Sequence, residues 1–385
     1  MIIVLKLNLN KSLIFNNQAT LSDTIRMAIY QENEQLFDLL DYENDTLFLE
    51  PNCFCYFLSD IGSENKISLE QTLLGYIIEE KRPSEVTLKA DLFGLVNLPN
   101  LGYIRANPYE VFTLSDEEIT QKLIPNQFVK NSNIRVCLHP TDHLSYQDGV
   151  IFDESVEQSL AKHQTQLAEA TIFFQNNLPD FWKLIEDFTR EFVVFSSPNH
   201  NSFAGIMQQG TAYFNIENKQ KSVVFFIDDI AHQCGHIIFN VLTLETNKFL
   251  KVAKDSPLSG FTPNPQESRG VYGAFHGLFT YTTILHSLDK VIKSGNLFDE
   301  TQCHEALGRM GFYMGKFYSD LQLMNNTEIL TDEGLAYHKQ FSEGFSTIFQ
   351  EYGKELASFD YSNQPYTFQY NLFQILNPIQ KPLFV

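Results

Sequence analysis

The chain has 385 residues, of which 43% are hydrophobic and 19% are charged, and its formal net charge is −20. This composition excludes a disordered chain, because the apolar residues are numerous enough to form a sizeable core. With 27 basic against 47 acidic residues, it also argues against nucleic-acid binding, which depends on cations that displace counterions from phosphates. A cationic peptide suits this charge better as a partner.

The cysteines and the lengths of the apolar runs indicate in which cellular compartment the protein is expected. The chain contains an odd number of cysteines, without the spacing of a zinc ribbon: Cys53, Cys55, Cys137, Cys234 and Cys303. This pattern predicts free thiols in a reducing cytoplasm. No apolar run reaches the roughly 18 residues that a membrane span requires, and residues 1–15 lack the charged lead-in of a signal peptide. We therefore expect a cytoplasmic protein with no membrane partner.

The first third of the chain carries no motif with recognisable chemistry. Residues 1–15 alternate like a strand, residues 22–42 and 67–80 have helical character, and residues 86–105 resemble short strands and turns. We interpret residues 1–130 as an accessory domain. Residues 131–385 are then predicted to form the catalytic domain.

The rest of the chain becomes increasingly helical. Strands are predicted over residues 133–139, 192–195 and 210–216, with helices over 155–175 and 179–192 between them. Four long helices follow, over residues 222–246, 270–294, 299–324 and 331–356, with Gly, Pro, Asn and Asp at the breaks. The predicted fold class is α+β, mainly α, with a helical metal-binding domain.

The segment KSVVFFIDDIAHQCGHIIFN, residues 221–240, predicts a buried helix with a polar stripe. Most of its side chains are apolar, so the helix should be buried nearly all round. Five polar residues nevertheless fall on one face at 3.6 residues per turn: Asp229, His232, Gln233, His236 and Asn240. Because buried polar groups are costly unless they are satisfied, this stripe predicts a bound metal ion.

His232 and His236 have the spacing of two metal ligands one helical turn apart. In hydrolytic enzymes with an HExxH motif the first His is followed by a Glu that acts as general base, and here that position is Gln233. For the third ligand we favour His276 in SRGVYGAFHGLFT, because small neighbours would let the two helices approach closely. These small residues are Gly273, Ala274 and Gly277. Alternative third ligands are Asp229, Glu267 and His286.

Three protein ligands with open positions suit either catalytic zinc or non-heme iron. The amide of Gln233 cannot accept a proton at neutral pH, which counts against zinc hydrolysis. Iron chemistry with 2-oxoglutarate would need a cation for the far carboxylate, and Arg269 lies about two turns before His276. A second HxxxH pair, His139 and His143, is interrupted by Pro140, and we interpret it as part of a loop.

The HQCGH segment followed by RGVYGAFHG resembles the HExxH-motif domain that occurs beside gene clusters for ribosomally made peptides. Arg269, Gly273, His276 and Gly277 match the family's second segment in order and spacing. IRVCLHPTDHL upstream and EILTDEGLAYH downstream are also similar, so the resemblance covers roughly residues 132–355. Gln233 departs from the family, which usually has Glu at this position.

The resemblance implies an Fe(II)- and 2-oxoglutarate-dependent peptide β-hydroxylase that modifies a side chain of a precursor peptide. It implies that His232, His236 and His276 bind the metal and that Arg269 binds the co-substrate carboxylate, with Gln233 at the catalytic position. Two alternatives remain open. One is a zinc metallohydrolase relative with Gln in place of the base, and the other is a catalytically inactive peptide-binding module. Residues 1–130 are expected to hold part of the peptide.

Overall fold

The computed structural model describes residues 2–62, 65–146, 149–262 and 267–379. Its class is α+β and mainly α, with 56% helix and 12% strand, which confirms the predicted class. The strands are β1 (Ile2–Val4), β2 (Leu7–Leu9), β3 (Glu85–Lys89), β4 (Leu95–Leu98), β5 (Gly102–Arg105), β6 (Val111–Ser115), β7 (Ile124–Pro125), β8 (Gln127–Phe128), β9 (Arg135–Val136), β10 (Glu191–Phe195) and β11 (Thr211–Asn215).

The α-helices include both short turns and long core helices. They are α1 (Lys11–Glu32), α2 (Glu34–Phe37), α3 (Asp45–Phe48), α4 (Pro51–Leu58), α5 (Leu69–Leu73), α6 (Asp116–Lys122), α7 (Thr141–Tyr146), α8 (Val156–Asn177), α9 (Pro179–Phe188), α10 (Val223–Leu242), α11 (Val271–Lys293), α12 (Glu300–Met324), α13 (Asp332–Leu356) and α14 (Tyr370–Leu376). Throughout the part of the chain that the structure describes, none of these helices has both the length and the apolar character needed to cross a membrane.

The chain forms two compact units, and each is discontinuous in sequence. The helical unit comprises the described residues of Met1–Lys11, Glu169–Leu184 and Ser222–Val385, and the mixed unit comprises those of Ser12–Ala168 and Ile185–Lys221. The sequence predicts a boundary near residue 130, whereas the mixed unit continues beyond it. The unit extends beyond residue 130 because its main sheet pairs β8, which precedes the predicted boundary, with β9, β10 and β11, which follow it.

The main sheet of the mixed unit has the strand order β11-β10-β9-β8. β10 pairs in parallel with both β9 and β11, and β8 pairs antiparallel with β9. All five residues of β10 and of β11 are buried, as expected of parallel strands covered on both faces. In the β9–β10 register Arg135 lies opposite Glu191 and Val136 lies opposite Phe192.

The helical unit is built around α10, α11, α12 and α13. α10 begins after Ser222, whose hydroxyl accepts a hydrogen bond from the Phe225 amide at 3.0 Å, as an N-cap does. The close approach of α10 and α11 occurs at Gly235, where a Cβ atom would lie 2.8 Å from Thr283 Oγ1. Thr283 Oγ1 also donates to the Ala231 carbonyl of α10 at 2.8 Å.

The prediction that the small residues of α11 allow its close approach to α10 is wrong for the two glycines. A Cβ atom at Gly273 would meet nothing within 4 Å, and one at Gly277 would lie 3.4 Å from Asp320 of α12 rather than against α10. Interhelical contact is set by which face turns inward, and the inward face of α11 carries Thr280 and Thr283. The small residue at this crossing therefore comes from α10.

Two predictions in the first third of the chain are wrong. The helix predicted from residue 22 begins at Lys11, and the helix predicted over 67–80 ends at Leu73. Gly75 follows this helix, and a Cβ atom there would lie 2.3 Å from the Pro99 carbonyl oxygen. The chain therefore packs closely against residue 99 just after the helix ends. This contact is between residues far apart in sequence, so the local pattern could not predict it.

Candidate metal centre

Three histidine side chains from two neighbouring helices form a cluster in the helical unit, in which His236 contacts both of the others. His232 and His236 project from α10, and His276 projects from α11. The ring centroids of His232 and His236 are 4.9 Å apart, and those of His236 and His276 are 4.4 Å apart. His236 Nδ1 and His276 Nε2 lie 2.8 Å apart, within hydrogen-bonding distance. The structure thus brings together the three histidines that the sequence singles out.

Aromatic side chains surround the three imidazoles. The His276 ring lies 4.8 Å from Phe239 and 5.4 Å from Tyr272, and the His232 ring lies 6.2 Å from Tyr313, measured between centroids. Burial lowers the pKa of His236 to about 4 and holds the pKa values of His232 and His276 well below their ordinary value of 6.5. All three rings are therefore neutral at pH 7, which is the form that binds metal ions.

Three imidazole nitrogens are suitable ligands for a divalent metal ion, but one existing hydrogen bond would have to break for all three to bind it. The hydrogen bond between His236 and His276 uses a nitrogen of each ring, so a metal ion would compete with it. Among the described residues, the nitrogens of all three histidines do not come within 4.8 Å of one another. Binding therefore requires the imidazoles to exchange this hydrogen bond for metal–nitrogen bonds.

Gln233 lies beside His232 and is almost completely buried, with 1% of its surface exposed. Its Nε2 donates to Asp229 Oδ1 at 2.9 Å, while its Oε1 has no hydrogen-bond partner. A buried acceptor without a donor calls for a physical explanation, and a water or ligand hydroxyl in the site would supply the donor. Gln233 is therefore suited to orient a ligand, and its amide cannot serve as a general base.

Replacing Gln233 with Glu is expected to lower the free energy of unfolding of the metal-free protein by about 2 kcal/mol. The substitution removes the donor to Asp229 and places two carboxyl groups together in a buried space, so that one must stay protonated. Urea unfolding followed by the fluorescence of Trp182, the single tryptophan, reports on the helical unit.

The matched control is Gln322→Glu on the exposed face of α12, which should change stability by less than about 0.5 kcal/mol. Adding Asp229→Asn to Gln233→Glu should restore most of the loss, because an amide again faces a carboxyl group. A Gln233→Glu protein as stable as wild type would show that the Asp229 contact is unimportant.

Arg269 is held by two carboxylates. Its Nε and one terminal nitrogen donate to Glu267 at 2.9 and 2.8 Å, and it also contacts Asp320 at 2.8 Å. Hydrogen bonding to Arg269 lowers the pKa of Glu267 to about 2. A co-substrate carboxylate at Arg269 would therefore have to displace one of these acids. The contact with Asp320 could not be predicted from the sequence, because the two residues are 51 positions apart.

Lys316 is a second cation near the histidines. Its positive charge contributes to lowering the pKa of His232, after the larger effects of burial and of His236. The Lys316 ammonium lies 4.5 Å from the Phe312 ring centroid and 4.4 Å from that of Tyr366, and it donates to the Tyr366 carbonyl at 2.7 Å. Sequence reasoning missed this residue, because its proximity to His232 depends on how α12 lies beside α10.

The other candidate third ligands have different partners. Asp229 accepts from Gln233, and Glu267 is bound by Arg269. His286 accepts from the Leu5 amide at 3.2 Å, and its ring packs 6.2 Å from that of Phe181. Of the alternatives weighed from the sequence, His276 is the one that contacts His236.

The mixed unit contains a buried cluster that sequence reasoning did not assemble. Cys137 Sγ, a ring nitrogen of His139 and a carboxylate oxygen of Glu191 all lie within 4.8 Å of one another, and all three residues are buried. His143, by contrast, stands on α7, and its ring packs 5.8 Å from Phe203. The alternation of Arg135, Cys137 and His139 in the sequence could have indicated that these side chains lie on one side of the chain. That Glu191 lies beside them could be known only from the β9–β10 pairing.

His139 also lines a small polar cavity together with Asp91 and Asp142. Asp91 Oδ1 accepts from the Phe93 and Leu95 amides at 2.7 and 2.9 Å, whereas its Oδ2 is buried without a partner. Burial raises the pKa of the Asp91 carboxyl from 3.8 to about 6. The folded chain therefore holds a proton on Asp91 in a pH range where the unfolded chain has lost it.

Replacing Asp91 with Asn is expected to stabilise the protein at pH 7.5 by at most about 3 kcal/mol. A carboxyl whose pKa is raised on folding favours the folded state below about pH 4, and this contribution is lost as the pH rises through about 6. The gain should therefore vanish near pH 4. Urea unfolding followed by circular dichroism tests this, with exposed Asp60→Asn as control. A gain independent of pH would refute the explanation.

Comparison of the chain with models of known protein families and with curated proteins gives no match. The assignment of a function therefore depends on the residues and contacts described above.

Proposed function

We propose that the helical unit binds a divalent metal ion through His232, His236 and His276 and that the protein is an Fe(II)- and 2-oxoglutarate-dependent oxygenase acting on a peptide. The observation that supports this most directly is the cluster of three neutral imidazoles from two packed helices, in which His236 contacts both His232 and His276. Iron bound there would reduce dioxygen with 2-oxoglutarate, giving succinate, carbon dioxide and a hydroxyl group on a substrate carbon.

Gln233 favours this chemistry over hydrolysis. Its amide donates to Asp229 and leaves one acceptor directed at no protein group. A hydrolase needs a group at this position that takes a proton from water, whereas an oxygenase needs only a group that orients a ligand. The buried amide meets the second requirement.

Two cations are available for the far carboxylate of 2-oxoglutarate. The family resemblance selects Arg269, which would have to release Glu267 or Asp320. Lys316 lies near His232 and has a backbone carbonyl as its hydrogen-bond acceptor. If Lys316 bound 2-oxoglutarate, it would give up a backbone carbonyl and gain a carboxylate, and no acidic side chain would lose its partner. This comparison supports Lys316 as the residue that binds the far carboxylate.

The substrate is proposed to be a basic precursor peptide. The chain carries a formal charge of −20, which attracts cationic partners over a distance set by ionic strength. A short segment with an excess of Lys or Arg would benefit from this field. Its binding should weaken as salt concentration rises.

The proposal is tested by measuring succinate formation. The metal-loaded protein is incubated with 2-oxoglutarate and dioxygen, with and without basic peptides, and succinate is followed by nuclear magnetic resonance. Turnover that His276→Ala abolishes and His286→Ala preserves would support it. Lys316→Met should raise the KM for 2-oxoglutarate more than Arg269→Met does. Peptide cleavage without succinate would favour the zinc hydrolase, and neither activity would favour the inactive binding module.

A further inference from the structure

The buried cluster in the mixed unit combines three types of metal-binding group. Cys137, His139 and Glu191 expose 1%, 5% and 1% of their surfaces, and one donor atom from each lies within 4.8 Å of the other two. Among the described residues, no other three His, Cys, Asp or Glu side chains converge in this way. Sulfur, nitrogen and oxygen donors together are typical of zinc-type ions.

The β9–β10 pairing explains why these residues meet. Arg135 lies opposite Glu191 in the parallel register, and the Cys137 amide donates to the Phe192 carbonyl at 2.9 Å. Alternate residues of an extended segment face the same side, so Arg135 and Cys137 share the side that Glu191 faces, and His139 follows at the bend after the strand. Backbone hydrogen bonds therefore fix the positions of Cys137 and Glu191 relative to each other.

His139 has one nitrogen without a partner. Its Nδ1 accepts from the Thr141 amide at 3.2 Å, which places the ring hydrogen on Nε2, and Nε2 is buried without a hydrogen-bond partner. A buried donor with no acceptor is costly. The fold tolerates this cost in a ring that has one nitrogen within 4.8 Å of a thiol and a carboxylate, which is the arrangement expected of a metal ligand.

We propose that the mixed unit carries a metal site of its own, in which Cys137, His139 and Glu191 bind a divalent ion of the zinc type. Binding releases the thiol proton to solvent and moves the imidazole hydrogen from Nε2 to Nδ1. The bond from the Thr141 amide is lost, so one long neutral hydrogen bond is exchanged for metal–ligand bonds. The ion would tie β9 to β10.

The neighbouring charges are compatible with a cation. Arg135 contacts Glu191 at 2.6 Å and Glu50 at 2.8 Å, so two carboxylates directly face its guanidinium group. Glu191 Oε2 accepts from the Thr211 hydroxyl at 2.9 Å. Each Glu191 oxygen accepts one hydrogen bond and has a further lone pair available. The polar cavity that His139 lines has room for a water molecule, which could complete the four-coordinate shell preferred by zinc.

Cobalt(II) distinguishes this site from the histidine cluster of the helical unit. A cysteine thiolate bound to cobalt gives a charge-transfer band in the near ultraviolet, whereas an all-histidine site gives none. The full-length protein is stripped with a chelator, dialysed against cobalt(II) and scanned. We expect the band in the wild type and in His276→Ala, and its loss in Cys137→Ser.

The matched control is Cys53→Ser, which alters a fully buried thiol of the same unit outside the cluster and should keep the band. Circular dichroism checks folding. If Cys137→Ser fails to fold, His139→Gln decides, because loss of a ligand should weaken cobalt binding at least about tenfold. No band in the wild type, a band that survives Cys137→Ser, or unchanged affinity in His139→Gln would overturn the proposal.

Discussion

Replacing His236 with alanine is expected to weaken metal binding by the helical unit by more than about 100-fold. His236 occupies the middle of the cluster, with ring centroids 4.9 Å from His232 and 4.4 Å from His276. Loss of an outer-shell partner alone costs roughly 10- to 100-fold in metal affinity, and loss of a ligand should cost more. Competition with a chromophoric chelator measures the affinity.

His286→Ala is the matched control for this experiment. It removes another partly buried imidazole of α11 whose contacts are to Leu5 and Phe181, so the metal affinity should stay within about twofold of wild type. Because the mixed unit has a candidate site of its own, the measurement is made in a Cys137→Ser background. If His236→Ala and His286→Ala bind metal equally well, the histidine cluster is not the metal centre.

Replacing Arg309 with methionine is expected to lower the free energy of unfolding by about 3–5 kcal/mol. Arg309 is 5% exposed and contacts Asp228 and Glu305 at 2.7 Å each. Removing the guanidinium leaves two buried carboxyl groups without their cation, and a buried unpaired charge is much more costly than a broken surface pair. Urea unfolding followed by Trp182 fluorescence gives the difference.

The control for this loss is Lys339→Met, which breaks an exposed contact to Glu343 at 4.0 Å and should cost less than about 1 kcal/mol. Asp228→Asn added to Arg309→Met should recover part of the stability by removing one stranded charge. A loss below about 1 kcal/mol in Arg309→Met would show that the buried ion pairs do not stabilise the helical unit.

The long helices of the helical unit were predictable because their signals are local. Ser222 caps α10 through the Phe225 amide, and the 3.6-residue spacing placed His232 and His236 on one face. α10 through α13 begin and end within about four residues of the predicted bounds. The Gln233–Asp229 contact joins residues four apart on the same helix, so it too was within reach of helical periodicity.

What the sequence could not reveal depends on distant partners. Arg269 was predicted to be available for a co-substrate, but Asp320 of α12 and Glu267 hold its guanidinium. His139 was interpreted as part of a loop because Pro140 interrupts the HxxxH pair, and it does lie at a bend outside the strands and helices. Its nearness to Glu191 could not be predicted, because it follows from the β9–β10 register. The boundary predicted at residue 130 differs from the observed units for the same reason, since β10 and β11 complete a sheet begun by β8 and β9.

An anaerobic spectrum tests whether His232, His236 and His276 hold iron that also binds 2-oxoglutarate. Fe(II) and then 2-oxoglutarate are added to metal-free protein, with His276→Ala as the comparison. We expect a visible charge-transfer band that requires both additions and is lost in His276→Ala. Absence of the band in the wild type, with iron shown not to bind, would contradict this proposal.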